Sequence, residues 1–321
     1  MTPSNPLRDE SGSTHLDSTA QIMDRISSQL STRLRLVSPD GTRRRDPRPT
    51  LVLVAHGSRD PRALTTVTAL AERIREQRPG LAVRLGHIEL NEPLLTETLD
   101  ELGGPGEHGE HGEHGAQAVL VPLLLGRGQH VKRDIPAAAA RFPALDTRVA
   151  APLGPHPLLV EALHARLVEA GWPDRSAEAE AEAEAEAGAA TRARRSHAAV
   201  VLAAAGSRDP ESAADTEAAA GLLAERLGVP VRAAYAAPTP ACPRSVPEAL
   251  EALAAEGRTR TAVASYFTAP GRFAAQTADA APWIASAPLG PHAALARLVL
   301  LRYDQARSAP APAFRRTLSS V

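Results

Sequence analysis

The chain is poor in cysteine and in aromatic residues: Cys242 is its single cysteine, and phenylalanine, tyrosine and tryptophan together supply 3% of 321 residues. One thiol excludes an internal disulfide framework and a thiolate metal cluster, so a bound metal must use imidazole and carboxylate, and a reducing cytoplasm suits the chain. Scarce aromatics disfavour nucleic-acid binding by base stacking. An excess charge of either sign is missing too, with 36 Lys plus Arg against 37 Asp plus Glu, which leaves no global basic field for nucleic acid or an anionic membrane. No apolar run reaches the roughly 18 residues of a membrane span, and the N-terminus lacks the apolar core of a secretory signal. The expectation is a cytoplasmic protein with neither nucleic-acid nor membrane partners.

What is present suffices for substantial cores: 43% of the residues are hydrophobic, and at about 100 to 200 residues per domain the length argues for two domains. Residues 1–48 are polar and close on Arg43-Arg44-Arg45-Asp46-Pro47-Arg48; they read as a disordered leader. Leu51-Val52-Leu53-Val54-Ala55 then has the continuous apolar character of a strand buried on both faces of a parallel sheet. It stops at His56-Gly57-Ser58, and Asp60-Pro61 starts a helix with apolar residues at Leu64, Val67, Leu70 and Ile74. Strands are expected over 82–90, 118–125 and 149–153, and helices over 94–102, 135–142 and 158–170. This alternation implies an α/β fold with a parallel sheet.

The pattern then repeats. An Ala/Glu-rich linker, residues 173–196, separates a first domain (49–172) from a second (197–306), followed by a flexible tail (307–321). Ala55-His56-Gly57-Ser58-Arg59-Asp60-Pro61 returns as Ala204-Ala205-Gly206-Ser207-Arg208-Asp209-Pro210 after a strand at 198–203, and Leu153-Gly154-Pro155-His156 returns as Leu289-Gly290-Pro291-His292. Helices over 216–227, 247–255 and 292–303 complete the second copy.

Duplication makes one half a control for the other. Residues kept in both, such as Gly57/Gly206, Asp60/Asp209, Pro61/Pro210 and His156/His292, read as turn and helix-start residues. Residues found in one half alone are candidates for chemistry. His56 stands against Ala205, Glu89 against Ala237, and His130 against Phe273, the last pairing set by aligning Gly128 with Gly271. All three first-half positions sit at the C-terminal ends of the first three expected strands, and in an open parallel sheet those ends converge on the ligand crevice. Neutral imidazole and carboxylate suit divalent transition metals, and a site with three protein ligands leaves positions open for exchange. Each residue taken singly has a plainer reading, a hydrogen-bonded turn histidine or a surface carboxylate; their joint absence from the second half favours the functional one. His87, two residues before Glu89 on the same strand face, is either a supporting residue or a buried structural one.

His56-Gly57-Ser58-Arg59-Asp60-Pro61, Glu89-Leu90-Asn91-Glu92-Pro93 and the segment Gly126-Arg127-Gly128-Gln129-His130-Val131-Lys132-Arg133-Asp134-Ile135-Pro136 resemble the sirohydrochlorin chelatase family of class II chelatases, in its long two-domain form. The resemblance implies two Rossmann-like domains facing a central cleft, and ATP-independent insertion of Fe2+ or Co2+ into sirohydrochlorin for sirohaem or cobalamin. The metal is then a substrate, with no organic cofactor. The family's metal-site histidines map to His56 and His130 and its acidic partner to Glu89, as ligand or proton acceptor. A carboxylate-ringed macrocycle needs cations, for which Arg59, Arg127, Lys132, Arg133, Arg208 and Arg272 are candidates.

One tract departs from the pattern. Gly106 to Gly115 repeats Gly-Glu-His, with His108, His111 and His114, and reads as either a weak metal-collecting loop or a repeat expansion in a tolerant one. Two rival functions fit the same fold. A metal or tetrapyrrole binder without turnover is one; a periplasmic-type ligand receptor is the other, and the missing signal argues against it. The second half, holding no ligands, could supply the fixed partner that a one-domain chelatase gains by dimerising, so a monomer is expected.

Overall fold

β1 (Thr50–Ala55) lies at the centre of a parallel four-stranded sheet of order β2-β1-β3-β4, with β2 Val83–His87, β3 Gln117–Pro122 and β4 Asp146–Val149. The computed structural model describes residues 48–103, 116–173 and 197–309. The expected leader, the Gly-Glu-His loop, most of the linker and the end of the tail lie outside these residues. A second parallel sheet, of order β6-β5-β7, is built from β5 Ala198–Ala204, β6 Val231–Tyr235 and β7 Arg260–Ser265. Its fourth strand is reduced to a single parallel bridge between Val263 and Ala285.

Both central strands are buried along their length because both of their faces are covered, which is why their sequence is apolar without alternation. Val52 and Val54 pack outward with Leu95, Leu99 and Ile135, from α2 (Leu95–Gly103) and α3 (Ile135–Ala140). Ala199, Val201 and Ala203 do the same with Val246, Ala249 and Leu253 of α6 (Val246–Ala255). The inward residues of the two strands, Leu51, Leu53 and Ala55 with Val200, Leu202 and Ala204, belong to one continuous core.

That shared core arises from an exchange of helices. α4 (Pro157–Glu169), the last helix of the first half, packs on β7 and on α5 (Pro210–Leu227) of the second. α8 (Ala293–Ser308), the last helix of the second half, packs on β3, β4 and α1 (Pro61–Gln77) of the first. Hydrogen bonds follow the same reciprocity. Arg166 of α4 donates to Leu289 O at 3.0 and 3.1 Å, and Arg302 of α8 donates to Leu153 O at 3.2 Å. The described residues of the two expected domains, from Pro49 on, are therefore joined in one compact unit. No helix among the described residues is long and apolar enough to cross a membrane.

Helix starts explain the shared histidines. His156 Nδ1 accepts from the Leu158 N–H and His292 Nδ1 from the Ala294 N–H, so each caps the exchanged helix of its half. Burial holds both imidazoles below their ordinary value, and Arg302 beside one and Arg166 beside the other push the same way; a cap that accepts through Nδ1 needs that nitrogen free of a proton.

Candidate metal-handling site

The two strand-to-helix turns are superimposable in their hydrogen bonding. In the first half Ile88 N–H donates to Ala55 O and Glu89 N–H to His56 O; in the second Ala236 N–H donates to Ala204 O and Ala237 N–H to Ala205 O. Gly57 and Gly206 turn the chain at φ 99° and 101°, and a Cβ at either would lie 1.8 Å from Glu89 O or 2.1 Å from Ala237 O, so only glycine fits both the dihedral and the space. Asp60 and Asp209 then cap α1 and α5 through the N–H groups of Arg62 and Glu211. The kept residues build the turn. The residues exchanged between the halves, His56 for Ala205 and Glu89 for Ala237, ride on it.

The third pairing is fixed in the same way. Leu123 N–H donates to Val54 O as Tyr266 N–H donates to Ala203 O, and Lys132 N–H donates to Gly128 O as Ala275 N–H donates to Gly271 O. His130 thus corresponds to Phe273 without a shift. It opens a π-helical turn, His130–Asp134, that runs straight into α3, eight residues beyond the end of β3, so a loop and not a strand end positions it.

The structure brings His56 and His130 together, with ring centroids 4.9 Å apart in a T-shaped arrangement. Two imidazoles sharing a metal at about 2.0 Å with tetrahedral angles have centroids roughly 5 Å apart, so this spacing suits joint ligation. Their tautomers follow from the neighbours. His130 Nδ1 is 2.6 Å from Asp134 Oδ2, and His56 Nδ1 is 3.3 Å from Gly57 O and 3.7 Å from Glu89 Oε1. Carbonyls and carboxylates only accept, so Nδ1 is the donor in each ring and Nε2 is the nitrogen left for a metal.

Glu89 stands to one side. It neighbours His56, is about half exposed, and is not among the cleft-lining residues. Among the described residues no three His, Cys, Asp or Glu side chains gather into a metal cluster; what is assembled is a histidine pair, each ring backed by a carboxylate. Asp134 was missed as a functional residue in the sequence, although its spacing of four from His130 is one helical turn. His87 is buried, its Nδ1 donating to Pro93 O at 3.1 Å, and burial pushes its pKa down. The turn that bears Glu89 is locked to the His56 turn by the Ser58 N–H, which donates to Asn91 Oδ1 at 2.7 Å.

The histidines open on a cleft of about 1910 Å3 between the halves, well above the ~300–1,000 Å3 of ordinary small-molecule pockets. Arg59, Lys132, Arg133, Arg208 and Arg272 line it. Lys132 is engaged across the cleft by Asp209 at 2.6 Å and by Glu211, and both carboxylates hold its ammonium above the usual range. Arg127 does not line the cleft. It grips the buried Asp215 through its guanidinium, at 2.7 Å, and through its backbone N–H, at 2.8 Å, and so serves the joint between the halves. Arg59, Arg133, Arg208 and Arg272 are exposed and pair with no carboxylate among the described residues, which leaves four guanidinium groups for an anionic ligand.

Comparison with known proteins agrees with this architecture. Sirohydrochlorin cobaltochelatase of Methanococcus aeolicus is 36% identical over 86 residues, 27% of this chain and 54% of that protein. Sirohydrochlorin ferrochelatase of Bacillus subtilis is 26% identical over 183 residues, 56% of this chain and 59% of that one. The alignments thus span little more than half the length of these relatives. The structure of SirB from Bacillus subtilis with Fe3+ superposes with a TM-score of 0.59 at 22% identity, covering 81% of this chain and 96% of that one, which shows a common fold. The model of the CbiX family matches twice, over residues 50–170 and again over 199–306. Both halves of the chain, the one with the paired histidines and the one without them, therefore belong to the CbiX family.

Proposed function

We propose that this chain inserts a divalent metal, Fe2+ or Co2+, into sirohydrochlorin without ATP, on the way to sirohaem or cobalamin. The observation that carries the reading is the histidine pair: two imidazoles, 4.9 Å apart by ring centroids, each with its Nδ1 turned to an oxygen acceptor, on the wall of a cleft large enough for a macrocycle. Family membership and the names of the relatives point the same way.

In this reading His56 and His130 hold the incoming ion with coordination positions left over for pyrrole nitrogens. Arg59, Arg133, Arg208 and Arg272 meet the peripheral carboxylates and fix the ring in the cleft. Insertion forms bonds from the metal to the ring nitrogens and releases two N–H protons. Once the metal has left His56 Nε2, that nitrogen accepts one pyrrole proton while Nδ1–H passes to Glu89, half exposed beside it, and on to solvent. The second proton leaves with water in the open cleft, and the position of Glu89 favours proton acceptor over third ligand. Asp134 orients His130. The protein works as a monomer, the second half forming the far wall of the cleft, and in the cytoplasm, where Cys242 stays reduced.

Steady-state metallation of sirohydrochlorin with Co2+ or Fe2+, in the absence of ATP, tests the reading. Wild type should turn over many equivalents, and H56A and H130A should each lose more than about a hundredfold, the upper end for disturbing a metal site. A wild-type reaction that stops at one equivalent, or near-normal rates in both variants, would overturn it.

A further inference from the structure

The second half keeps the backbone of the metal site and replaces its ligands, and the replacements are not those of a merely silenced site. Phe273 stands where His130 does. It is only half-buried, belongs to none of the three apolar cores, and lines the cleft; a residue kept to fill vacated space would be packed inside. Arg272 lies over its ring, 4.7 Å from the centroid, and has no carboxylate partner among the described residues, unlike Lys132 on the opposite wall. Ala205, which also lines the cleft, presents a methyl group where His56 presents an imidazole.

The two walls also face each other. A Cβ built at Gly271, two residues before Phe273, would lie 3.5 Å from Ser58 Oγ, two residues after His56; one at Gly128 would lie 3.8 Å from Ser207 Oγ. Each half's loop thus abuts the other half's turn, and the Arg272-Phe273 pair lines the same cleft as the histidines from the second half. A flat ligand between them meets nitrogen lone pairs on one side and an aromatic ring topped by a cation on the other.

We infer that the second half is the macrocycle-holding wall, where Phe273 packs on the tetrapyrrole face opposite the incoming metal and Arg272 takes one peripheral carboxylate. The inference rests on the chelatase reading and extends it by dividing the labour: metal to the first half, ring to the second. An aromatic side chain suits a conjugated ring by area and by offset stacking, and a guanidinium already held over an aromatic ring binds carboxylate with less loss of freedom.

The test uses the full chain and two separate titrations, metal-free sirohydrochlorin followed by absorbance, and Co2+ alone. F273A should weaken tetrapyrrole binding about tenfold, the size of a lost aromatic contact, and raise KM for the ring while Co2+ binding stays as in wild type. F273Y should restore ring binding, and R272A should weaken it most at low salt. H56A and H130A should bind the ring normally and fail to metallate it. If F273A binds the ring as tightly as wild type, or loses Co2+ binding in parallel, the division of labour is wrong even though wild type metallates. If wild type neither binds nor metallates sirohydrochlorin, the chelatase reading falls first.

Discussion

The two halves of this protein share the backbone hydrogen bonds that tie the turn to its central strand and differ in what the turn displays. Ile88 and Glu89 bond back to β1 as Ala236 and Ala237 bond back to β5, and a positive-φ glycine stands against the same carbonyl in each. Among the side chains that then diverge, His56, Glu89 and His130 stand against Ala205, Ala237 and Phe273. Since the backbone is common, folding alone does not account for the first set. The comparison separates residues that make the fold from residues that use it, and it does so inside one chain.

Moving the set across is the strongest way to break that comparison. A205H, A237E and F273H introduced together should create a second Co2+ site, raising metal stoichiometry from one equivalent to two by equilibrium dialysis, and should impair ring binding through loss of Phe273. Unchanged stoichiometry would mean that the second half lacks something besides the side chains. The exchanged helices give the next largest effect. L163A in α4, at a fully buried position, should cost about 2–5 kcal/mol, and thermal unfolding should remain one transition for both halves because the core is shared. Two separated transitions would show the halves to be independent.

Smaller effects sharpen the roles. D134N keeps the shape of the His130 partner and removes its charge; metallation should fall roughly 10–100-fold, the usual range for a residue behind a metal ligand, with the melting temperature nearly unchanged. The capping histidines should make stability pH-dependent. Burial lowers both pKa values from 6.5 in the folded protein, so below about pH 6.5 the unfolded chain binds more protons than the folded one. Stability is complete above that pH and declines as pH falls through the lowered values. H156N and H292N, which keep a side-chain acceptor at the cap, should flatten the decline in urea titrations between pH 7 and pH 5; an unaltered slope would assign it to other groups.

The elements with the clearest patterns were the ones legible in the sequence. β1 was expected from Leu51 to Ala55 and runs Thr50–Ala55, because a strand covered on both faces must be apolar throughout. The second strand was expected to reach Leu90 and ends at His87, since Ile88 and Glu89 turn to bond with β1 and Leu90 takes φ 68°. The fourth was expected at 149–153 and lies at Asp146–Val149, where pairing with β3 outweighs a weak apolar pattern. α5 was expected from Thr216 and starts at Pro210; Asp209-Pro210 carries the same start signal as Asp60-Pro61. β7 and α7 (Arg272–Asp279) had no counterpart in the reading of the second half, being rich in alanine, which marks neither strand nor helix face strongly. Around the site, the exchange of His56, Glu89 and His130 for Ala205, Ala237 and Phe273 was legible by comparing halves; that Glu89 lies outside the cleft lining was not. The engagement of Arg127 with Asp215 and of Lys132 with Asp209 was not, because those partners lie some 80 residues away in sequence.

Sequence by itself determined the duplicated α/β plan and the identity of the histidine pair, since apolar runs, capping residues and an internal repeat are local features that read the same in any context. Tertiary structure decided which cations remain free, that Glu89 stands beside His56 and apart from a common metal point, and that each half borrows the other's last helix. Those outcomes depend on which surfaces meet when two curved sheets close on one core, and no local pattern along the chain encodes that meeting.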